Sequence, residues 1–204
     1  MNTDQDKAGI GLWLAWILVN IIGFSVAAML CAKVASILFD GGDFDATLAI
    51  ATGIVMGAIV GYLQWVVLRE KITRADWWVL AGALGFAAFL VTPGVVGFNE
   101  NSAVVGILGV IALGLVGGSL QCLILRQQVK RFGWWLVGTM TGALVGEVGF
   151  PILTALGATN NYDLSAIILG LILGTGYGAI TGATLVWLLR QSPSGAMGRM
   201  ATAH

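Results

Sequence analysis

The sequence predicts an all-α, polytopic membrane protein: six transmembrane helices arranged as three parallel helical-hairpin repeats. Three observations carry this expectation. Apolar residues make up 58% of the 204-residue chain and charged residues 10%, with a mean hydropathy of +0.92, whereas ordinary soluble domains carry about 25% charged residues. Six apolar stretches, each near or above the roughly 20 residues that cross a bilayer, are separated by short polar turns. One block also returns three times: GAIVGYLQWVVLR from Gly57 to Arg69, GLVGGSLQCLILR from Gly114 to Arg126, and GAITGATLVWLLR from Gly178 to Arg190. Every copy keeps Gly at the first and fifth places, Leu at the twelfth and Arg at the thirteenth, and the first two share Gln64 and Gln121 at the eighth. The arginines lie 57 and 64 residues apart, a period that marks one supersecondary unit used repeatedly.

In chain order, residues 1–9 read as a short polar N-terminus, with Asp4, Asp6 and Lys7 giving it mixed charge rather than the positive n-region of a secretory signal. The first span, Ile10 to Phe39, is interrupted by Asn20 and Lys33. After the turn from Asp40 to Asp45 comes the second, Ala46 to Leu68, and then a charged loop from Arg69 to Asp76. The third starts at Trp77 and Trp78 and meets Pro93 before Phe98; the fourth runs from Ala103 to Leu125. The fifth opens on Trp134 and Trp135, meets Pro151 and ends near Leu156; the sixth is Leu164 to Leu189. The hairpins are therefore 10–69, 77–126 and 134–190, and residues 191–204, with Ser192-Pro193-Ser194-Gly195, read as a disordered tail.

Basic residues set the orientation. Lys7, Arg69, Lys71, Arg74, Arg126, Lys130, Arg131, Arg190 and Arg199 fall on one side, while the opposite turns carry Asp40, Asp43, Asp45, Glu100 and Asp163. The positive-inside rule then places both termini in the cytoplasm, in a bacterial inner (plasma) membrane protein. All eight tryptophans fall at the cytoplasmic helix ends, where an apolar ring with a polar N–H is at home.

Glycines at four-residue intervals predict how the helices meet. Gly53, Gly57 and Gly61 line one face of the second span, and Gly170, Gly174, Gly178 and Gly182 one face of the sixth. In lipid, where apolar side chains gain little from one another, close backbone approach through small residues supplies the packing. Gln64, three residues past Gly61, and Gln121, three past Gly118 in the glycine row of the fourth span, are expected to hydrogen-bond across helix interfaces, as structural glue or as the lining of a polar path; Leu185 at the third place breaks any ring of three. Arg69, Arg126 and Arg190 are the inner-headgroup anchors.

Glu147 is the one acid well inside a span. Thirteen residues beyond Trp134, at about 1.5 Å each, it stands roughly 20 Å up a core of roughly 30 Å, where an ionisable group is a functional candidate by default. Lys33 is its candidate partner, which requires it to reach inward; alternatively Lys33 snorkels to the headgroups and Glu147 stays protonated or bonds to a neighbouring backbone. Pro93 and Pro151, at matching places in two units, break or kink their helices; with Asn99 and Glu100 they outline an acidic outer vestibule for a cation or polar solute, or simply end the helices at ordinary turns.

Other chemistry is excluded. The single histidine is His204, and no Ser-His pair, HExxH or paired intramembrane acids occur, so no catalytic site, metal or histidine-ligated cofactor is expected. The topology separates Cys31 and Cys122 by on the order of 20 Å, beyond the roughly 7 Å a disulfide spans. Basic residues form no broad stripe for nucleic acid.

The G-x3-G-x2-Q-W-x2-L-R block followed by Trp-Trp, clearest at Gly57, Gly61, Gln64, Trp65, Leu68, Arg69 and Trp78, resembles a group of small bacterial integral membrane proteins that carry it in tandem. Cys122, Leu185 and Val186 depart from the block. The resemblance spans most of residues 57–190 and implies the topology, with no activity attached. Two readings follow: a non-catalytic scaffold or accessory subunit of a larger membrane complex or homo-oligomer, with lipid or pigment as the ligand classes left open, or a small transporter or channel that uses Glu147.

Overall fold

The computed structural model describes residues 3–38, 46–96, 102–149, 152 and 162–191. These form six helices, with no strand among the described residues. They are α1 (Thr3–Leu38), α2 (Ala46–Leu68), α3 (Trp77–Val96), α4, α5 (Gly133–Glu147) and α6 (Tyr162–Arg190). α4 consists of three consecutive pieces: Ser102–Leu113, a π-helical turn over Gly114–Gly118, and Ser119–Leu125.

Four stretches are long and apolar enough to cross a membrane: Gly9–Cys31, Ala46–Leu68, Val104–Leu125 and Leu164–Arg190. α3 has 20 residues, Trp77–Val96. The expected end of the fifth span near Leu156 lies outside the described residues; α5 as described has 15 residues, about 22 Å at ~1.5 Å each, and ends at Glu147. There the Val148 N–H bonds to the Val145 carbonyl, three residues back, a tightening typical of helix ends. α3, in contrast, runs through Pro93 to Val96: a proline so near a helix end removes one ladder bond and leaves the rest intact. Pro151 lies outside the described residues. α1 begins at Thr3, inside the segment expected to be a short polar N-terminus. Asp163, expected in a turn, sits in the first turn of α6.

Each helix packs on the next in the chain, and α6 packs on α1, so the six close into a ring. The most extensive packing joins α1 to α6 and α2 to α3. Glycine makes both possible: a Cβ added to Gly57 would lie 2.7 Å from Ala83 Cα, and one added to Gly174 would lie 2.8 Å from the Asn20 carbonyl carbon. Backbone meets backbone with no room for a side chain, as expected where close approach supplies the helix–helix attraction.

The ring is apolar outside, and its largely apolar interior holds a few buried polar side chains. Leu14, Leu18, Ile54, Leu80, Ile107, Ile111 and Leu171 face outward, while Asn20, Gln64, Gln121, Thr139 and Thr181 are buried. One end is closed by the largest apolar cluster, in which Ile72 and Val129 from the α2–α3 and α4–α5 turns join Leu68, Leu125, Leu185 and Leu188. Those two turns are tied together: the Thr73 N–H donates to Gln128 Oε1 (3.2 Å), and Gln128 Nε2 donates to the Thr73 carbonyl (3.3 Å). The neighbouring Arg74 adopts φ 59°, a left-handed conformation that costs a side-chain-bearing residue about 1–2 kcal/mol. Arg74→Gly is therefore expected to stabilise the protein by up to about 1 kcal/mol after glycine's own entropy loss, read as a small rise in unfolding temperature in detergent.

Candidate functional site

At the closed end three tryptophans from alternate helices converge on the ring axis. Trp16 of α1, Trp78 of α3 and Trp135 of α5 are each fully buried. Their rings meet edge to face with centroids 6.2, 6.1 and 5.3 Å apart, a geometry worth about 0.5–1.5 kcal/mol per pair beyond area burial. An indole N–H cannot be left unpaired away from water, and each finds an acceptor on a helix beside its own. Trp78 Nε1 donates to Gln64 Oε1 (2.8 Å), Trp135 Nε1 to Gln121 Oε1 (2.9 Å), and Trp16 Nε1 to Thr181 Oγ1 (2.9 Å). Gln64 carries a second bond, from Nε2 to Asn20 Oδ1 (2.8 Å), and Asn20 Nδ2 donates to the Trp16 carbonyl (2.7 Å). Thr181 donates in turn to the Tyr177 carbonyl at 2.6 Å. Gln64 thereby links α1, α2 and α3, and Gln121 links α4 to α5.

Beside this node lies a cavity of about 20 Å³ to which all six helices contribute, from Phe24 of α1 to Tyr177 of α6. Its polar lining is Gln64, Gln121, Thr139 and Tyr177, and Gly117 and Gly118 of the π-helical turn form part of its wall. Thr139 Oγ1 is buried with no hydrogen-bond partner among the described residues.

The remaining residues singled out from the sequence are dispersed. Glu147, at the end of α5, is half-buried with its carboxylate against Gly106 of α4: a Cβ added there would lie 2.8 Å from Glu147 Oε2. Lys33 is exposed on α1, which packs against α2 and α6 rather than α5, so the two helices that carry Glu147 and Lys33 are not neighbours in the ring. Asn99 and Glu100 lie outside the described residues. Arg69, Arg126 and Arg190 are exposed at helix ends; the Arg69 guanidinium stands 5.6 Å from the Trp65 ring centroid, and that of Arg190 packs against Gly9 at the start of α1. Among the described residues no group of three or more His, Cys, Asp or Glu side chains could hold a metal.

Sequence reasoning missed Asn20, Thr139, Thr181 and Tyr177, and placed Trp16, Trp78 and Trp135 at an interface when they are core. A signal was present. Trp16, Asn20 and Gly23 share their spacing with Trp78, Gly82 and Gly85 and with Trp135, Thr139 and Gly142. Trp13 is a different contact, donating Nε1 to the Ala179 carbonyl at 2.9 Å. No family model, curated protein or solved structure matches this chain.

Proposed function

We propose that the protein is a multi-pass membrane scaffold or accessory subunit without catalytic activity, offering its outer surface to lipid, to partner subunits or to further copies of itself. The observation that carries this reading is the ring interior: hydrogen-bonded side chains fill its closed end, and the cavity beside them has only about 20 Å³, whereas the outer surface is apolar on every helix. Among the described residues, a closed end filled in this way beneath an apolar exterior is suited to lateral contacts rather than to passage of a solute. In this reading the chain is built from three parallel hairpins, 10–69, 77–126 and 134–190, with both termini cytoplasmic in the inner membrane. The equivalent positions of Trp16, Trp78 and Trp135, and the glycine rows at the two closest interfaces, support that arrangement.

Two measurements test it. Purification from native membranes in mild detergent, followed by intact-complex mass spectrometry, should give a stoichiometric partner subunit, a retained lipid or pigment, or a defined homo-oligomer; a monomer retaining nothing would overturn the reading. The alternative of a small transporter or channel draws on one observation, the half-buried Glu147 carboxylate beside Gly106. For the scaffold, Glu147→Gln is expected to shift stability by less than about 1 kcal/mol and to leave no difference in cation flux across proteoliposomes. Flux by the wild type that the substitution abolishes would establish transport instead.

A further inference from the structure

We propose that the cavity at the ring axis is a hydration site that holds one water molecule between Thr139, Tyr177 and the side-chain amide of Gln121. Size comes first. About 20 Å³ exceeds the roughly 10–15 Å³ that a water needs by this measure and excludes an organic solute. Small residues create the room: Gly82, Gly117 and Gly118 line the cavity, and a Cβ on Gly118 would come within 3.6 Å of Thr139 Cγ2 and 3.0 Å of Leu136 Cδ1.

Chemistry selects the guest. Four of the lining side chains are polar, and none is a carboxylate, ammonium or guanidinium, so an ion would sit there without a counter-charge. A neutral molecule that both donates and accepts fits instead. Thr139, 2% exposed, has no hydrogen-bond partner of good geometry for Oγ1 among the described residues; the Tyr177 side chain is its one polar neighbour within reach, in a poorly aligned contact. The Gln64 and Gln121 carbonyls are engaged by Trp78 and Trp135. An unmatched buried hydroxyl is costly, and buried waters are found where about two to four such groups converge. Inside a bilayer bulk water offers no substitute. The wall segment Gly114–Gly118 is π-helical, a distortion of the helix ladder that recurs at functional sites.

The test uses the full chain in lipid nanodiscs, with bulk water as the probe: wild type, Thr139→Val and Thr139→Ser. Water-to-protein magnetisation transfer in NMR should reach the Thr139 and Gln121 side chains in wild type and in Thr139→Ser, and be lost in Thr139→Val. Valine keeps the shape but removes the hydroxyl. It should lower the unfolding temperature by about 2–4 °C, because the water then loses a partner. Valine also ends the Thr139–Tyr177 contact, so the thermal shift counts for the proposal only together with the loss of transfer. Absence of transfer in wild type, or a Thr139→Val protein that unfolds at the same or a higher temperature, overturns the proposal. Should the valine variant not fold, transfer to Thr139 and Gln121 in wild type decides alone.

Discussion

Gly57→Leu is expected to abolish the folded protein. A Cβ at this place would stand 2.6 Å from the carbonyl carbon of Gly82 and 2.7 Å from Ala83 Cα, and both are backbone atoms of a continuous helix. Overpacking usually costs about 1–3 kcal/mol because neighbouring side chains can change rotamer. Here no rotamer exists to change, so α2 and α3 would have to separate along one of the two most extensive interfaces in the ring, at a cost above about 3 kcal/mol. The same substitution at Gly11, where an added Cβ meets nothing within 4 Å, should change stability by less than about 0.5 kcal/mol. Yield of monodisperse protein in detergent and its thermal unfolding would separate the two. A Gly57→Leu protein as stable as Gly11→Leu would show that α2 and α3 do not meet this closely.

Gln64→Leu is expected to be the most damaging single change at the tryptophan node. It strands two buried groups at once, the Trp78 N–H and Asn20 Oδ1. Each orphan costs about 1–3 kcal/mol in soluble proteins, and interhelical bonds in membranes average nearer 0.6 kcal/mol, so a loss of about 1.5–4 kcal/mol is expected. Gln121→Leu strands only the Trp135 N–H among the bonds described and should cost about half as much. The chain itself suggests the rescue. At the third copy the glutamine place holds Leu185, and Thr181, one turn earlier, takes the indole N–H of Trp16. The equivalent of Thr181 on α2 is Val60. Val60→Thr, of nearly the same volume, should therefore restore part of the stability lost in Gln64→Leu while destabilising an otherwise unaltered chain. Thermal unfolding followed by tryptophan emission reads both effects, and failure of the threonine to recover any stability would disprove the equivalence of the two acceptors.

The helical class and the approximate helix positions were legible in the sequence because they rest on composition and on runs of apolar residues, which lipid enforces along the whole chain. The exact helix ends were less so, because they depend on local backbone effects such as the three-residue bond from the Val148 N–H to the Val145 carbonyl. The tryptophans mark the limit of residue-type reasoning most clearly. Trp77 and Trp78 are adjacent and chemically identical, yet one is 54% exposed and the other fully buried. A turn of about 100° per residue separates their faces, and the preference of tryptophan for interfaces carries no information about which face turns inward. Glu147 stood out in the sequence as a lone charge in an apolar span, whereas Thr139 and Thr181 did not, because threonine is unremarked in a transmembrane helix until its hydroxyl is seen to lack a partner or to hold one.

Closure of the ring by its first and last helices has a temporal consequence. Trp16 and its acceptor Thr181 are 165 residues apart, and ribosomes add about 5–20 residues per second, so α1 exists for on the order of 10–30 s before α6 has been made. During that interval the Trp16 indole and the face of α1 that will meet the α6 glycine row lie open to the bilayer or to the insertion machinery. What holds α1 meanwhile is α2, which arrives within a few seconds and carries Gln64 to Asn20. The amide bridge between α1 and α2 thus acts as a waiting contact, keeping the earliest helix in register for a partner that is synthesised last.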